Sequence, residues 1–218
     1  LFLFLKAIPG LSQKLTVQSP NQKILVSLFA EQASTTGEWY LNAVYEDNGK
    51  TSDAIPRIDL GLSRSAQDFS KDLKFLKASK PLLINEQYTA LHGKKSVCSN
   101  SANEVVISFE NPSKAKLNII IRAYNDGIVF RYEFPEKSST ILKLSEEETS
   151  FHFLPDSKAW LQPIAVAKSG WASANPSYEE YYQKEIPIGT PSPTGAGWVY
   201  PALFKSGNTW LLISETAL

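Results

Sequence analysis

The chain has 218 residues, of which 43% are hydrophobic and 20% are charged, a composition that supports a folded core and excludes a disordered chain. The 22 basic residues balance the 22 acidic ones, so no excess of positive charge points to a nucleic-acid partner. The single cysteine, Cys98, excludes an internal disulfide, and with only His92 and His152 beside it it cannot build a thiolate or imidazole zinc site.

Residues 1–12 are typical of the end of a secretory signal peptide. An apolar run at residues 1–5 precedes Gly10, Leu11 and Ser12, which give a small-x-small pattern. Cleavage after Ser12 would leave residues 13–218 as one domain of a periplasmic or secreted protein. A buried strand is the alternative interpretation of the apolar run. No other run approaches the ~18–20 apolar residues of a membrane span, so none is expected.

Short runs with period-two alternation dominate the first half of the chain, and such runs predict β-strands. A turn is expected at residues 47–49, where the sequence reads Asp-Asn-Gly. Residues 66–76 are ambiguous, because their apolar positions also fit one face of a helix. The predicted strands of this half are residues 24–29, 39–45 and 104–109.

Two hairpins are predicted in the second half. Residues 117–124 and 128–134 meet at Asn-Asp-Gly, where we expect Gly127 to adopt a positive φ. Residues 198–204 and 209–214 form the second hairpin, and both strands are apolar enough to lie near the core.

The stretch from 169 to 194 is rich in proline and aromatic residues and too irregular for a strand, so we expect a long loop that is functional or lies against another surface. A further alternating strand covers residues 149–154. Many short strands with close turns favour an all-β antiparallel sandwich or barrel with few or no helices.

Pattern alone identifies no catalytic group. Glycoside hydrolysis needs two carboxyl groups on opposite sides of a sugar, but the adjacent Glu179 and Glu180 point to opposite sides of an extended chain and are better explained as solvated. No serine lies in a Gly-x-Ser-x-Gly elbow. Aromatic rings can stack on sugars, yet Trp39, Trp160, Trp198 and Trp210 fall in or beside strands and are expected in the core. Trp171, in the long loop, is the candidate for an external contact.

Four segments together resemble the N-terminal domain of glycoside hydrolase family 97. The hairpin at residues 122–135, RAYNDGIVFRYEFP, is the most specific of them. Residues 171–182 resemble that domain's aromatic and acidic segment, residues 210–218 resemble the segment that leads into the catalytic barrel, and residues 13–21 resemble the mature start of the family.

The resemblance implies a large antiparallel β-sandwich, or super-sandwich, of the galactose-mutarotase kind, packed on a C-terminal (β/α)₈ catalytic domain. That domain would cleave α-glucosidic or α-galactosidic bonds with calcium in the active site. In the family a glutamate at the end of the N-terminal domain is a calcium ligand, and Glu215 matches it here. The catalytic groups would lie outside this chain, so it alone should hydrolyse nothing.

The resemblance therefore suggests an accessory domain that supplies Glu215 to calcium and forms part of the rim around an oligo- or polysaccharide substrate. Candidate rim or interface residues are Trp171, Tyr178, Glu179 and Tyr182. Two alternatives stay open: a free-standing carbohydrate-binding module, and a non-enzymatic sandwich of the cell envelope.

Overall fold

A computed structural model describes residues 12–31, 36–65, 67–165 and 181–216. The regular elements in these ranges are strands, β1 to β18 in chain order, and they contain no helix. The chain divides into two compact units, Leu1–His152 and Phe153–Leu218. Within the described ranges, no helix has the length and apolarity needed to cross a bilayer.

The first unit contains fourteen strands in three sheets. They are β1 (Ser12–Gln18), β2 (Ile24–Ala30), β3 (Thr36–Gly37), β4 (Trp39–Asp47), β5 (Lys50–Asp59), β6 (Leu62–Arg64), β7 (Gln67–Asp68), β8 (Leu73–Ala78), β9 (Leu82–Thr89), β10 (Val97–Glu110), β11 (Lys116–Tyr124), β12 (Ile128–Glu133), β13 (Leu144–Glu147) and β14 (Ser150–His152).

Two large antiparallel sheets build the core of this unit. One has the order β1-β2-β4-β5-β14, and the other has the order β12-β11-β10-β8-β3, with β9 also paired to β10. Alternate residues of the central strands are fully buried because they point from each sheet into one apolar layer. The largest of these buried side chains include Leu28, Leu41, Ile58, Ile107, Phe109, Leu117, Ile119 and Ile121.

Trp39 joins the two sheets. Its ring, on β4, lies 5.1 Å from that of Phe109 on β10 and 5.7 Å from that of Phe75 on β8. The indole Nε1–H donates a hydrogen bond of 2.8 Å to the carbonyl oxygen of Leu73. Since the side chain is only 2% exposed, this bond satisfies the polar edge of a large core residue.

A small third sheet, β13-β6-β7, lies in the same unit. Its Arg64 is buried, forms an ion pair with Glu136 and lies 4.0 Å above the ring of Phe134. The hydroxyl of Tyr132, on β12, accepts a hydrogen bond from the amide of Gly61. These contacts attach the segments around β6 and β12 to each other.

The described residues of the second unit form one four-stranded antiparallel sheet of order β16-β15-β17-β18. Its strands are β15 (Lys158–Leu161), β16 (Gln183–Pro187), β17 (Ala202–Ser206) and β18 (Thr209–Ile213). One sheet face forms a small core of Ala159, Leu161 and Ala202, against which Trp198, Ile186 and Phe204 pack.

The all-β expectation and its antiparallel strands are confirmed, one ambiguous stretch is resolved and two local predictions are corrected. In the stretch that was ambiguous between strand and helix, residues 67–68 and 73–78 form strands, and Phe69 and Leu73 are buried in a sheet core. The stretch predicted to be irregular contains strand β16, which pairing with β15 stabilises. Gly127 has no positive φ, because it stands at the end of the turn, where its carbonyl accepts a hydrogen bond from the Tyr124 amide, and Asn125 and Asp126 occupy the loop.

Candidate functional site

Glu215 lies two residues beyond the end of β18. The β17–β18 hairpin fixes the end of that strand, with Ser206 paired to Thr209 and Gly207 at φ +56° in the turn. Glu215 is exposed, and within the described part of the chain its carboxylate makes no hydrogen bond or ion pair. The carboxylate is therefore available to a cation or to a group from outside this unit.

The described residues alone do not assemble the donor set that calcium needs. Calcium takes 6–8 oxygen ligands, whereas the described residues contain no group of three or more histidine, cysteine, aspartate or glutamate side chains placed to hold a metal. An accessible carboxylate such as that of Glu215 fits one ligand position. The remaining ligands would have to come from elsewhere.

Of the predicted rim residues, the structure describes only Tyr182. It is 40% exposed and directly precedes β16, so its ring is open to a contact outside the unit. Trp171, Tyr178 and Glu179 lie outside the described residues, and their proposed role stays a prediction.

A cavity of about 350 Å³ opens beside the core of the second unit. Its walls are mainly apolar, and Thr190 and Tyr200 add hydroxyl groups. The indole of Trp198 borders the cavity and donates a hydrogen bond of 3.2 Å to the carbonyl of Thr190. These residues form an apolar depression beside the core, and its lining identifies no ligand.

Trp210 is not a core residue, contrary to the sequence prediction. Its side chain on β18 is 53% exposed. Its ring packs against that of Trp160, with centroids 4.8 Å apart, and Lys205 Nζ lies 5.6 Å from the centroid of the Trp210 ring. The apolar alternation of β18 was read correctly as a strand, but it does not reveal which sheet face is covered.

A polar cluster around Asp59 was not found from the sequence. The Asp59 carboxylate accepts hydrogen bonds from Arg57 Nε at 2.5 Å and Ser150 Oγ at 2.8 Å, and His152 Nε2 lies 2.5 Å from it. Arg57 also contacts Glu31 at 3.3 Å and lies 4.5 Å above the ring of Tyr40. Strand β14 pairs with β5, and this pairing brings Ser150 and His152 to Asp59 across more than 90 residues of sequence.

The cluster is built for stability rather than nucleophilic catalysis. Partial burial raises the pKa of Asp59, but the hydrogen bonds from Arg57, Ser150 and His152 outweigh it and keep the pKa below its usual value. In a serine triad, separate ring nitrogens of histidine face the serine and the aspartate. Here one nitrogen, His152 Nε2, faces both, and Ser150 itself donates to Asp59.

A family model described as Glycosyl-hydrolase 97 N-terminal matches residues 17–218. A probable retaining alpha-galactosidase of Streptomyces bingchenggensis (strain BCW-1) is 28% identical over 204 residues, covering 93% of this chain and 29% of that protein. The crystal structure of a beta-arabinopyranosidase superposes with a TM-score of 0.82 at 32% identity, covering 94% of this chain and 32% of that one.

A glycoside hydrolase family 97 enzyme from Pseudoalteromonas sp. strain K8, in complex with acarbose, has the same fold at a TM-score of 0.65 and 24% identity, covering 88% of this chain and 27% of that one. The chain thus spans about three tenths of the length of these relatives. Since the family model extends from residue 17 to residue 218, the chain belongs to the glycosyl-hydrolase 97 N-terminal family.

Proposed function

We propose that this chain is the N-terminal accessory domain of an exported, calcium-dependent glycoside hydrolase, and that its Glu215 is one of the calcium ligands. The observation that carries the proposal is the position of Glu215. Its carboxylate is exposed and unpaired among the described residues, just beyond the last strand, in a chain that spans only about three tenths of its relatives. A carboxylate at a strand end can reach an ion held mainly by another domain.

Protein-bound calcium would supply positive charge at the substrate site. This chain would help to orient the ion and the substrate, and would not supply the reacting groups. The two carboxyl groups that cleave a glycosidic bond would come from the catalytic domain, for which a (β/α)₈ barrel is the expected architecture. Tyr182, and the predicted rim residues Trp171, Tyr178 and Glu179, would border the bound oligo- or polysaccharide.

The comparisons favour a galactose-configured substrate over a glucose-configured one. The relatives include a probable alpha-galactosidase at 28% identity and a beta-arabinopyranosidase at 32% identity. A β-L-arabinopyranoside has the ring configuration of an α-D-galactopyranoside without its exocyclic hydroxymethyl group. One pocket can therefore accept both, and we propose this substrate class for the longer enzyme.

The test is to assay the full-length protein on aryl α-D-galactopyranoside, β-L-arabinopyranoside and α-D-glucopyranoside, with and without a calcium chelator. We expect turnover of the first two substrates to depend on calcium. Glu215→Gln should raise the calcium concentration needed for half-maximal activity by about tenfold or more, because loss of one charged ligand weakens a hard-cation site.

Glu146→Gln is the matched control, since Glu146 is an exposed glutamate on β13 of the first unit and should leave the calcium requirement unchanged. An identical calcium requirement in the Glu215 variant and the wild type would remove Glu215 from the site. Activity confined to the glucoside would refute the proposed substrate class while leaving the calcium role intact.

A further inference from the structure

One face of the second unit's sheet is apolar and exposed. The register places Trp160, Leu203 and Leu212 side by side across β15, β17 and β18. Trp210 lies on the same face, because it is two residues from Leu212 along β18. We call these four residues the Trp210 face. Its outer members are the most exposed, with Trp210 at 53% and Leu212 at 68%.

The opposite face of this sheet already has the unit's small core, formed by Ala159, Leu161 and Ala202. The Trp210 face is therefore additional apolar surface, and it extends onto β18, which is an edge strand because it pairs with β17 alone among the described strands. A contiguous apolar face that includes tryptophan marks an interaction site. An uncovered apolar edge strand also invites association with other chains.

The rim of the face is basic. Lys158 pairs with Lys205, which pairs with Trp210, so both lysines lie beside the apolar residues on the same side. Both are exposed, and Lys205 Nζ lies 5.6 Å from the Trp210 ring. This arrangement fits a protein surface that offers apolar side chains surrounded by acidic ones.

We propose that the Trp210 face packs against the catalytic domain of the longer enzyme. This inference rests on the proposed function. The relatives devote about seven tenths of their length to parts outside the region matched here, so a partner domain is available within one polypeptide.

The leucine side chains of the Trp210 face favour a protein surface over a sugar as its binding partner. A sugar ring stacks on flat aromatic surface, but half of this face consists of the aliphatic side chains of Leu203 and Leu212, which are best covered by other apolar side chains. The proposal therefore commits to the catalytic domain. Binding of a saccharide at this face becomes an outcome of the test.

Hydroxyl-radical footprinting of the full-length protein tests the packing directly, because it reports the solvent exposure of single side chains. The first unit provides matched references: Tyr88 is 54% exposed and Leu82 is 60% exposed, against 53% for Trp210 and 68% for Leu212. After correction for intrinsic reactivity, we expect oxidation of Trp210 and Leu212 to be about tenfold slower than that of their references, as for residues in a desolvated interface.

Equal corrected rates within each pair would overturn the proposal, and so would protection of Trp210 that occurs only when an oligosaccharide is added. A variant gives an independent readout. Leu212→Asp should increase oxidation of Trp210 in the full-length protein by about the same factor, because a buried carboxylate opens an apolar interface, whereas Leu82→Asp should not.

The footprint does not depend on calcium or on turnover, so its failure is distinct from a failure of the proposed function. A protein that needs Glu215 for calcium but oxidises Trp210 freely would keep the first proposal and lose this one.

Discussion

Asp59 shows how one side chain can gain its role from partners distant in sequence. Its carboxylate receives hydrogen bonds from Arg57 and Ser150 and contacts His152. These residues lie on strands β5 and β14, which pair at one edge of a large sheet. The cluster therefore stabilises the pairing of β14, the last strand of the first unit, with the sheet. Its hydrogen bonds involve charged groups, and such bonds are stronger than neutral ones.

We expect Asp59→Asn to lower the free energy of unfolding at neutral pH by about 1 kcal/mol, a value reduced for the partial exposure of the cluster. The folded pKa of Asp59 is depressed, so its contribution is complete above the unfolded pKa of about 3.9 and disappears as the pH falls through the folded pKa. The wild type and the variant should therefore converge in acid.

Urea unfolding at several pH values measures this difference. Asp126→Asn is the control, because Asp126 is an exposed aspartate in the β11–β12 turn. A difference between wild type and Asp59→Asn that stays constant from neutral pH to below the folded pKa would show that the charge of Asp59 is not the source of the stability.

At the scale of the element, the hairpin turns differ in what they require of glycine. The β4–β5 hairpin pairs Asp47 with Lys50 around Asn48 and Gly49, whose φ values are +51° and +77°. Consecutive positive φ values are typical of the tight turns that match strand twist. The turn that contains Gly127 closes without a positive φ at that residue.

Gly49→Ala should destabilise the protein by about 1 kcal/mol, because an L-residue with a side chain is strained at positive φ. Gly127→Ala is the matched control. Gly127 has no positive φ, and a Cβ added there would have no atom within 4 Å, so this substitution should leave the stability almost unchanged. Thermal unfolding of both variants measures the comparison, and equal losses of stability would contradict this account of the two turns.

Part of the strand pattern could be predicted from the sequence because alternation and turn residues are local signals. Strands β2 and β4 and both predicted hairpins are confirmed within a few residues. Several strands, β1, β5, β9 and β16 among them, were not predicted, and β7 and β8 lie in a stretch that was left ambiguous, because short strands and strands with irregular polarity are stabilised by their partners rather than by their own pattern. The family was recognised from the hairpin at residues 122–135.

The site was predictable only in part. Glu215 was selected through a resemblance rather than a pattern, and it does lie exposed at a strand end. The Asp59 cluster could not be anticipated, since it depends on the pairing of β14 with β5. The exposure of Trp210 was also missed, because a strand that is apolar on both faces does not show which face its own unit covers.

At the scale of the whole molecule, the described sheet of the second unit is unevenly covered. The first unit has a core between two sheets, as Trp39 and Phe109 illustrate, and also leaves apolar residues such as Leu82 and Ile141 exposed. The described sheet of the second unit has a small core on one side and the exposed Trp210 face on the other. A sheet with one uncovered apolar face needs a partner layer to be stable in water.

This imbalance predicts that residues 13–218, produced without any further domain, will self-associate. Exposed apolar surface on an edge strand is driven to find a second layer, and another copy of the same face is the nearest one available. Light scattering coupled to size-exclusion chromatography should show a mass that rises with concentration.

Leu212→Lys should shift the protein toward the monomer, because burying a charge in an interface costs free energy. Ile141→Lys changes a residue that is 95% exposed in the first unit and should leave association unchanged, so an equal effect of both variants would mean that added charge alone, rather than the Trp210 face, controls association.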